Sequence, residues 1–152
     1  MPEKMKDGEA VSVAINLIAH VSYGNETPDL PVQFITTGTL SRNNGKTLLS
    51  YTEHPDSEEQ NEPDTLVTLE FDKGNVTMKR KGPFSNEMIF SKGKRFESYY
   101  STPYGDMNMA VYAISVNYAV DKQEGQLDLK YQLDLQGNYA SSNELHLQYS
   151  AI

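Results

Sequence analysis

Apolar residues recur at every second position over most of this chain. The clearest run is Leu127, Leu129, Tyr131, Leu133 and Leu135, interleaved with Gln126, Asp128, Lys130, Gln132 and Asp134. Such alternation belongs to a half-buried strand, one face on a core and the other in water. Val11, Val13, Ile15, Leu17, Ala19, Val21 and Tyr23 repeat it near the start, and Leu145, Leu147 and Tyr149 near the end. Extended along the chain, the pattern predicts strands over 10–23, 32–40, 46–54, 65–72, 75–81, 85–91, 94–102, 106–119, 125–137 and 143–150. No window of about ten residues carries the 3.6-residue period of an amphipathic helix.

The breaks between these runs hold turn residues. Asn43-Asn44-Gly45, Lys73-Gly74-Asn75, Lys92-Gly93 and Glu124-Gly125 supply positions that tolerate positive φ between paired strands, and Pro28 and Pro31 bracket another connection. In Tyr99-Tyr100-Ser101-Thr102-Pro103-Tyr104-Gly105, Pro103 presets φ and Gly105 suits the positive-φ position of a type II turn. The acid-rich stretch between His54 and Asp64 reads as a solvated loop. Many short strands joined by tight turns, with no helix to cover a sheet, predict an all-β fold closing into an antiparallel up-and-down barrel of 8–10 strands. A sandwich is the competing architecture. Residues 1–9 read as a flexible N-terminal segment and 10–152 as a single barrel domain.

The strand over 106–119 is apolar on both faces, with Met107, Met109 and Val111 on one and Tyr112, Ile114, Val116 and Tyr118 on the other. One face would line the barrel, and the second would meet a partner or a second copy of the chain.

Composition narrows the function classes. With 152 residues the chain is one domain on size, and its lack of cysteine excludes disulfides, thiol catalysis and Cys-based metal centres. A formal net charge of −8 disfavours phosphate backbones and anionic membranes as partners. No stretch is apolar for the ~18 residues of a membrane span, and the charged start lacks the apolar core of a leader, so the expected location is cytoplasmic. Against the overall charge, residues 73–95 carry seven Lys/Arg (Lys73, Lys79, Arg80, Lys81, Lys92, Lys94, Arg95) and one acid, Glu87. With Phe84, Phe90 and Phe96 nearby, they would form either an anion or single-stranded nucleic-acid surface or, as the preferred reading, charged protection of strand edges.

Facing gives the candidate site. Leu49, Tyr51 and Glu53 share one face, as do Val76, Met78 and Arg80; Phe96, Ser98, Tyr100 and Thr102; and Val32, Phe34, Thr36, Gly38 and Leu40. Turned inward, these faces put Thr36, Tyr51, Glu53, Arg80, Ser98 and Tyr100 among apolar walls, with Tyr104 at the rim. A charged side chain inside a barrel needs a partner, and Glu53 and Arg80 suit one another. Such an interior is either a small-molecule cavity, with Thr36, Tyr51, Glu53, Arg80, Tyr100 and Tyr104 as ligand-binding residues, or a polar plug. His20, His54 and His146 lie apart in sequence, and neither a phosphate-cradling glycine loop nor a Gly-x-Ser-x-Gly elbow is present. No catalytic residue, metal or cofactor is therefore nominated. The expected function is non-enzymatic binding of a small apolar or anionic ligand. The alternative is a solid barrel that recruits a partner or forms a homodimer.

An ordered series of short strings resembles the YwiB-like proteins, an uncharacterised bacterial family. The strings are Thr36-Thr37-Gly38, Leu49-Ser50-Tyr51-Thr52-Glu53, Arg80-Lys81-Gly82, Met88-Ile89-Phe90, Lys92-Gly93, Tyr100-Ser101-Thr102-Pro103-Tyr104-Gly105, Gly125-Gln126-Leu127, and an ending with Tyr131, Asn143, Leu145 and Tyr149. The resemblance implies a lipocalin- or calycin-like β-barrel and implies no activity. Lipocalins carry Gly-x-Trp on the first strand, and this chain has no Trp. Where intracellular lipid carriers have Arg-x-Tyr to hold a carboxylate, this chain reads Leu147-Gln148-Tyr149.

Overall fold

A computed structural model describes residues 5–24, 31–54 and 64–152. Pro28 and most of the acid-rich loop lie outside the described residues. Ten strands follow one another: β1 (Ala10–Ser22), β2 (Val32–Asn43), β3 (Lys46–Glu53), β4 (Thr65–Asp72), β5 (Asn75–Lys81), β6 (Asn86–Phe90), β7 (Arg95–Thr102), β8 (Gly105–Val120), β9 (Glu124–Leu135) and β10 (Asn138–Ala151). They form one antiparallel sheet in the order β6-β5-β4-β3-β2-β1-β10-β9-β8-β7. Each strand therefore pairs with its sequence neighbours, except at the two ends of that order, and β1 also pairs with β10. This is the expected up-and-down barrel. It closes between β6 and β7 at a single bridge, where Ser85 and Ser101 exchange two backbone hydrogen bonds of 2.9 and 2.8 Å. The Ser98 hydroxyl adds one more across the seam by donating to the Glu87 carbonyl.

Hairpin chemistry explains the connections. The two-residue turns Asn44-Gly45, Lys73-Gly74 and Gln136-Gly137 all have positive φ at both positions, the geometry whose twist matches flanking strands. The third lies inside the region expected to be one strand over 125–137, so β10 begins at Asn138 rather than near 143. Gly105 does have positive φ, but as the last residue of the Thr102–Gly105 turn and not at the third position of a type II turn. Gly125 belongs to β9 rather than to a turn: a Cβ there would overlap the Tyr149 ring, so glycine admits the ring.

The alternating faces point as expected, with one instructive exception. β8 carries a bulge between Ala113 and Ser115, so Ile114 is an extra residue. A bulge of one residue reverses facing beyond it. Met107, Met109, Val111 and Ala113 face inward, and after the bulge Val116 and Tyr118 turn inward too, packing against the core. The expected second apolar face of Tyr112, Ile114, Val116 and Tyr118 is thus corrected to Tyr112 and Ile114 alone. β8 is apolar on both sides in sequence because its inward face changes parity.

Residues 5–9, the described part of the N-terminal segment, contact the barrel. Met5 is buried in the core, Gly8 and Glu9 exchange backbone hydrogen bonds with Arg42, and Asp7 and Glu9 pair with Arg42 and Lys122.

Antiparallel order places the Asn44, Lys73 and Asp121–Gln123 connections at one end of the barrel. That end is closed by rings. Tyr118 packs on Phe71 with ring centroids 5.0 Å apart and accepts a hydrogen bond from the Gly74 amide, while the Tyr149 hydroxyl donates to the Asp121 carbonyl at 2.6 Å. Leu49, Leu69, Met78, Leu127, Leu129 and Leu147 fill the middle. A cleft lined by inward-facing residues lies at the opposite end.

Candidate functional site

At that opposite end, the mouth, the inner faces enclose an open cleft of about 370 Å³. β1 contributes Leu17, Ala19 and Val21, β2 contributes Val32 and Phe34, β5 contributes Met78, and β10 contributes Leu145 as apolar wall. The polar lining converges from five strands: His20 from β1, Tyr51 and Glu53 from β3, Arg80 from β5, Tyr131 from β9, and Asn143 and Glu144 from β10, with His54 just after β3.

Register explains the convergence. Tyr51 pairs with Val67, Val67 with Arg80 and Arg80 with Asn86, so these residues form one row across β3, β4, β5 and β6. Gly38 stands beside Tyr51 in the same row, and a Cβ on it would run into the Ser50 carbonyl and the Ile15 side chain. Glycine thus lets β2 close tightly where the wall must curve.

The Glu53–Arg80 pairing expected from facing is present: Arg80 Nη1 donates to Glu53 Oε2 at 2.6 Å. The two side chains are 28% and 34% exposed, so the pair sits at the mouth rather than deep inside. Burial disfavours the Arg80 charge. The Glu53 carboxylate, the Tyr51 phenol and the hydrogen bond outweigh it, leaving Arg80 more basic than usual. Tyr51 is only 2% exposed and its ring lies against Phe34, with centroids 6.2 Å apart. Burial pushes its phenol well above the ordinary tyrosine range, the Arg80 charge partly opposing. Its hydroxyl has no hydrogen-bond partner, and neither has the buried Asn86 Oδ1. Tyr131 faces the same group from across the barrel, packs on Phe90 at 4.8 Å, and is likewise raised by burial against the pull of Arg80.

The other expected residues lie elsewhere. Thr36 is half-buried on the inner face of β2 but does not line this cleft, its hydroxyl donating to the Thr37 carbonyl at 3.5 Å. Tyr100 packs on Phe84, centroids 6.0 Å apart, and is absent from the lining. Tyr104 is 95% exposed at the β7–β8 turn and Tyr99 is exposed on the outer face, so these tyrosines do not ring the mouth. Ser98 is spent on the β6–β7 seam. Of the six expected ligand-binding residues, the cleft brings together Tyr51, Glu53 and Arg80. It adds Tyr131 and Asn143, a register pair whose inward facing was readable but which looked like ordinary core.

The charged and imidazole groups are largely committed to neighbours. Arg95 donates to Asp134 at 2.9 Å and lies 3.4 Å from Glu97, so the basic stretch over 73–95 is split between the interior, the seam and the surface. His146 and His20, far apart in sequence, meet on the outer face with ring centroids 6.1 Å apart. His146 Nδ1 lies 2.7 Å from Asp128, a contact that makes the ring more basic than usual. Among the described residues no group of three or more His, Asp or Glu side chains is placed to hold a metal ion.

The cleft combines apolar walls with one guanidinium, two phenols, two imidazoles, two carboxylates and a carboxamide. Comparison with known proteins agrees on the architecture. No curated protein matches the chain. The crystal structure of ywiB protein from Bacillus subtilis superposes with a TM-score of 0.81 at 17% identity, covering 94% of this chain and 93% of that one. At that identity the likeness concerns the fold. The family described as "Domain of unknown function (DUF1934)" matches residues 15–147, from β1 into β10. By that match, and in keeping with the YwiB-like resemblance of its short strings, the chain belongs to the DUF1934 family.

Proposed function

We propose that this protein is a non-enzymatic, cytoplasmic small-molecule-binding barrel whose site is the cleft at the mouth. The observation that carries the reading is the cleft itself: about 370 Å³ of space with apolar walls and convergent polar groups at one place. Ligand sites generally combine concavity, apolar lining and a few fixed polar groups in this way. A polar plug would leave no such volume around Arg80. The interaction-module alternative draws less support, because the bulge at Ile114 removes Val116 and Tyr118 from the outer face.

The test is binding of the fluorescent probe 1-anilinonaphthalene-8-sulfonate to wild type and to Ala19→Phe, which adds a ring to the cleft wall. Saturable binding by wild type that Ala19→Phe abolishes while keeping the wild-type circular dichroism supports the reading. Equal binding by both proteins, or none by wild type, refutes it. Native mass spectrometry of freshly purified protein then reports whether a natural ligand accompanies the chain.

A further inference from the structure

Building on that reading of the cleft, we propose that its ligand is an amphipathic monocarboxylate of medium length, with the carboxylate held between Arg80 and Tyr51 and the apolar body against Leu17, Phe34, Met78 and Leu145.

Two independent observations set the head group. Arg80 commits one N–H to Glu53, and a guanidinium has five in a planar fork. Glu53 therefore anchors the fork through one N–H, and the others remain on a side chain that lines the cleft. Tyr51 supplies the second observation: it is 98% buried by difference from its 2% exposure, it lines the same cleft, and its hydroxyl is unpartnered. A buried hydroxyl without a partner is costly, and an approaching acceptor oxygen relieves that cost. Both groups offer hydrogens, so the matching ligand atom is an acceptor. A carboxylate presents two acceptor oxygens in one plane and fits the fork, whereas an alcohol or ester leaves guanidinium donors unmatched. A phosphate dianion is disfavoured more than a monocarboxylate, because Glu53 and Glu144 both line the cleft beside the single guanidinium of Arg80, so each added ligand charge costs more, and the chain carries −8 overall.

Volume sets the length. At roughly 30 Å³ for each water-sized unit, the 370 Å³ cleft holds about a dozen such units. That accommodates a chain of about eight carbons with its carboxylate, and a longer chain would extend out through the open mouth. The Phe71, Tyr118 and Tyr149 rings close the far end, so a longer chain cannot thread through the barrel.

The experiment is isothermal titration of the full chain with octanoate and with methyl octanoate, which shares the body and lacks the charge. The expected result is that octanoate binds at least about tenfold more tightly than the ester, the worth of a hydrogen bond to a charged group. Tyr51→Phe should weaken octanoate several-fold, leave the ester unchanged and keep the fold. Arg80→Lys should weaken octanoate as well, because a point charge replaces the fork, and it retains the partner Glu53 needs. Ester binding equal to acid binding overturns the head-group assignment and leaves the cleft as a binding site. If neither probe binds, both the assignment and the proposed function fall. Tight octanoate binding that neither substitution alters places the carboxylate elsewhere and overturns the inference.

Discussion

Replacing Tyr51 by phenylalanine removes one oxygen from a side chain that is 2% exposed. In most folded proteins that change is destabilising, because a buried hydroxyl is hydrogen-bonded. Here the hydroxyl has no partner, and an unsatisfied buried polar group costs about 1–3 kcal/mol. The void left by the oxygen, roughly 10 Å³, returns only about 0.2 kcal/mol of that. Tyr51→Phe should therefore stabilise the ligand-free protein by about 1–2 kcal/mol, raising the thermal midpoint by about 2–8 °C for a chain of this size. The matched control is Tyr149→Phe. Tyr149 is also buried, but its hydroxyl donates to the Asp121 carbonyl at 2.6 Å. Losing that bond and stranding the carbonyl should cost about 1–2 kcal/mol. Urea unfolding followed by circular dichroism, with m-values compared to keep the two-state analysis sound, reads both variants on one scale. The two single-oxygen deletions should move the midpoint in opposite directions. If Tyr51→Phe lowers it as Tyr149→Phe does, the Tyr51 hydroxyl has a partner in solution and the argument for a vacant donor collapses.

Other substitutions test the remaining parts of the structure. Arg80→Met should cost about 1–3 kcal/mol, between the values for exposed and fully buried pairs, and adding Glu53→Gln should recover part of it in a double-mutant cycle; additive costs would mean the pair is uncoupled. His146 is made more basic by its contact with Asp128, so its stabilising contribution is complete below the unfolded-state pKa of about 6.5 and disappears as pH rises through the higher folded-state value. Wild type should therefore exceed His146→Gln in urea midpoint at about pH 5.5 and converge with it at about pH 8.5, and a gap that widens with pH would contradict the assignment. Gly125→Ala should destabilise by about 2 kcal/mol or more, because its methyl group overlaps the Tyr149 ring. A neutral result in urea unfolding would show that the ring has room to move.

Alternation alone located the strands, since every ladder places one apolar face inward, and it set Glu53 and Arg80 inside before any pairing was known. Its failures share a physical cause: facing is a local property, whereas depth along the barrel and changes of parity are not. Tyr100 and Arg80 both face inward, yet only Arg80 borders the cleft. Tyr104 sits in a turn, where period-2 facing has no meaning. Ile114 is one apolar residue among many, and nothing in its neighbours marks it as the inserted member of a bulge. Gly125 and Gly137 show the same limit for glycine. By pattern the first belongs to a turn, yet it makes room for a ring; by pattern the second belongs to a strand, yet it makes the turn. The hydroxyl of Tyr51 was beyond reach altogether, because the lack of a partner is a fact about everything around it.

The closure at Ser85 and Ser101 makes this barrel unlike a hoop of uniform strength. Nine ladders run continuously from β6 round to β7, and one bridge joins their free edges. The circumference is therefore the compliant dimension. Releasing those two backbone hydrogen bonds and the Ser98 bond to the Glu87 carbonyl would open the ring near the mouth while every ladder stays intact. Amide exchange at Ser85 and Ser101 should accordingly outpace that of β1 and β10, which are flanked on both sides. A binding site of the kind proposed for the cleft should tolerate breadth in its ligand far better than length, because girth yields at the seam and the ring-closed end does not.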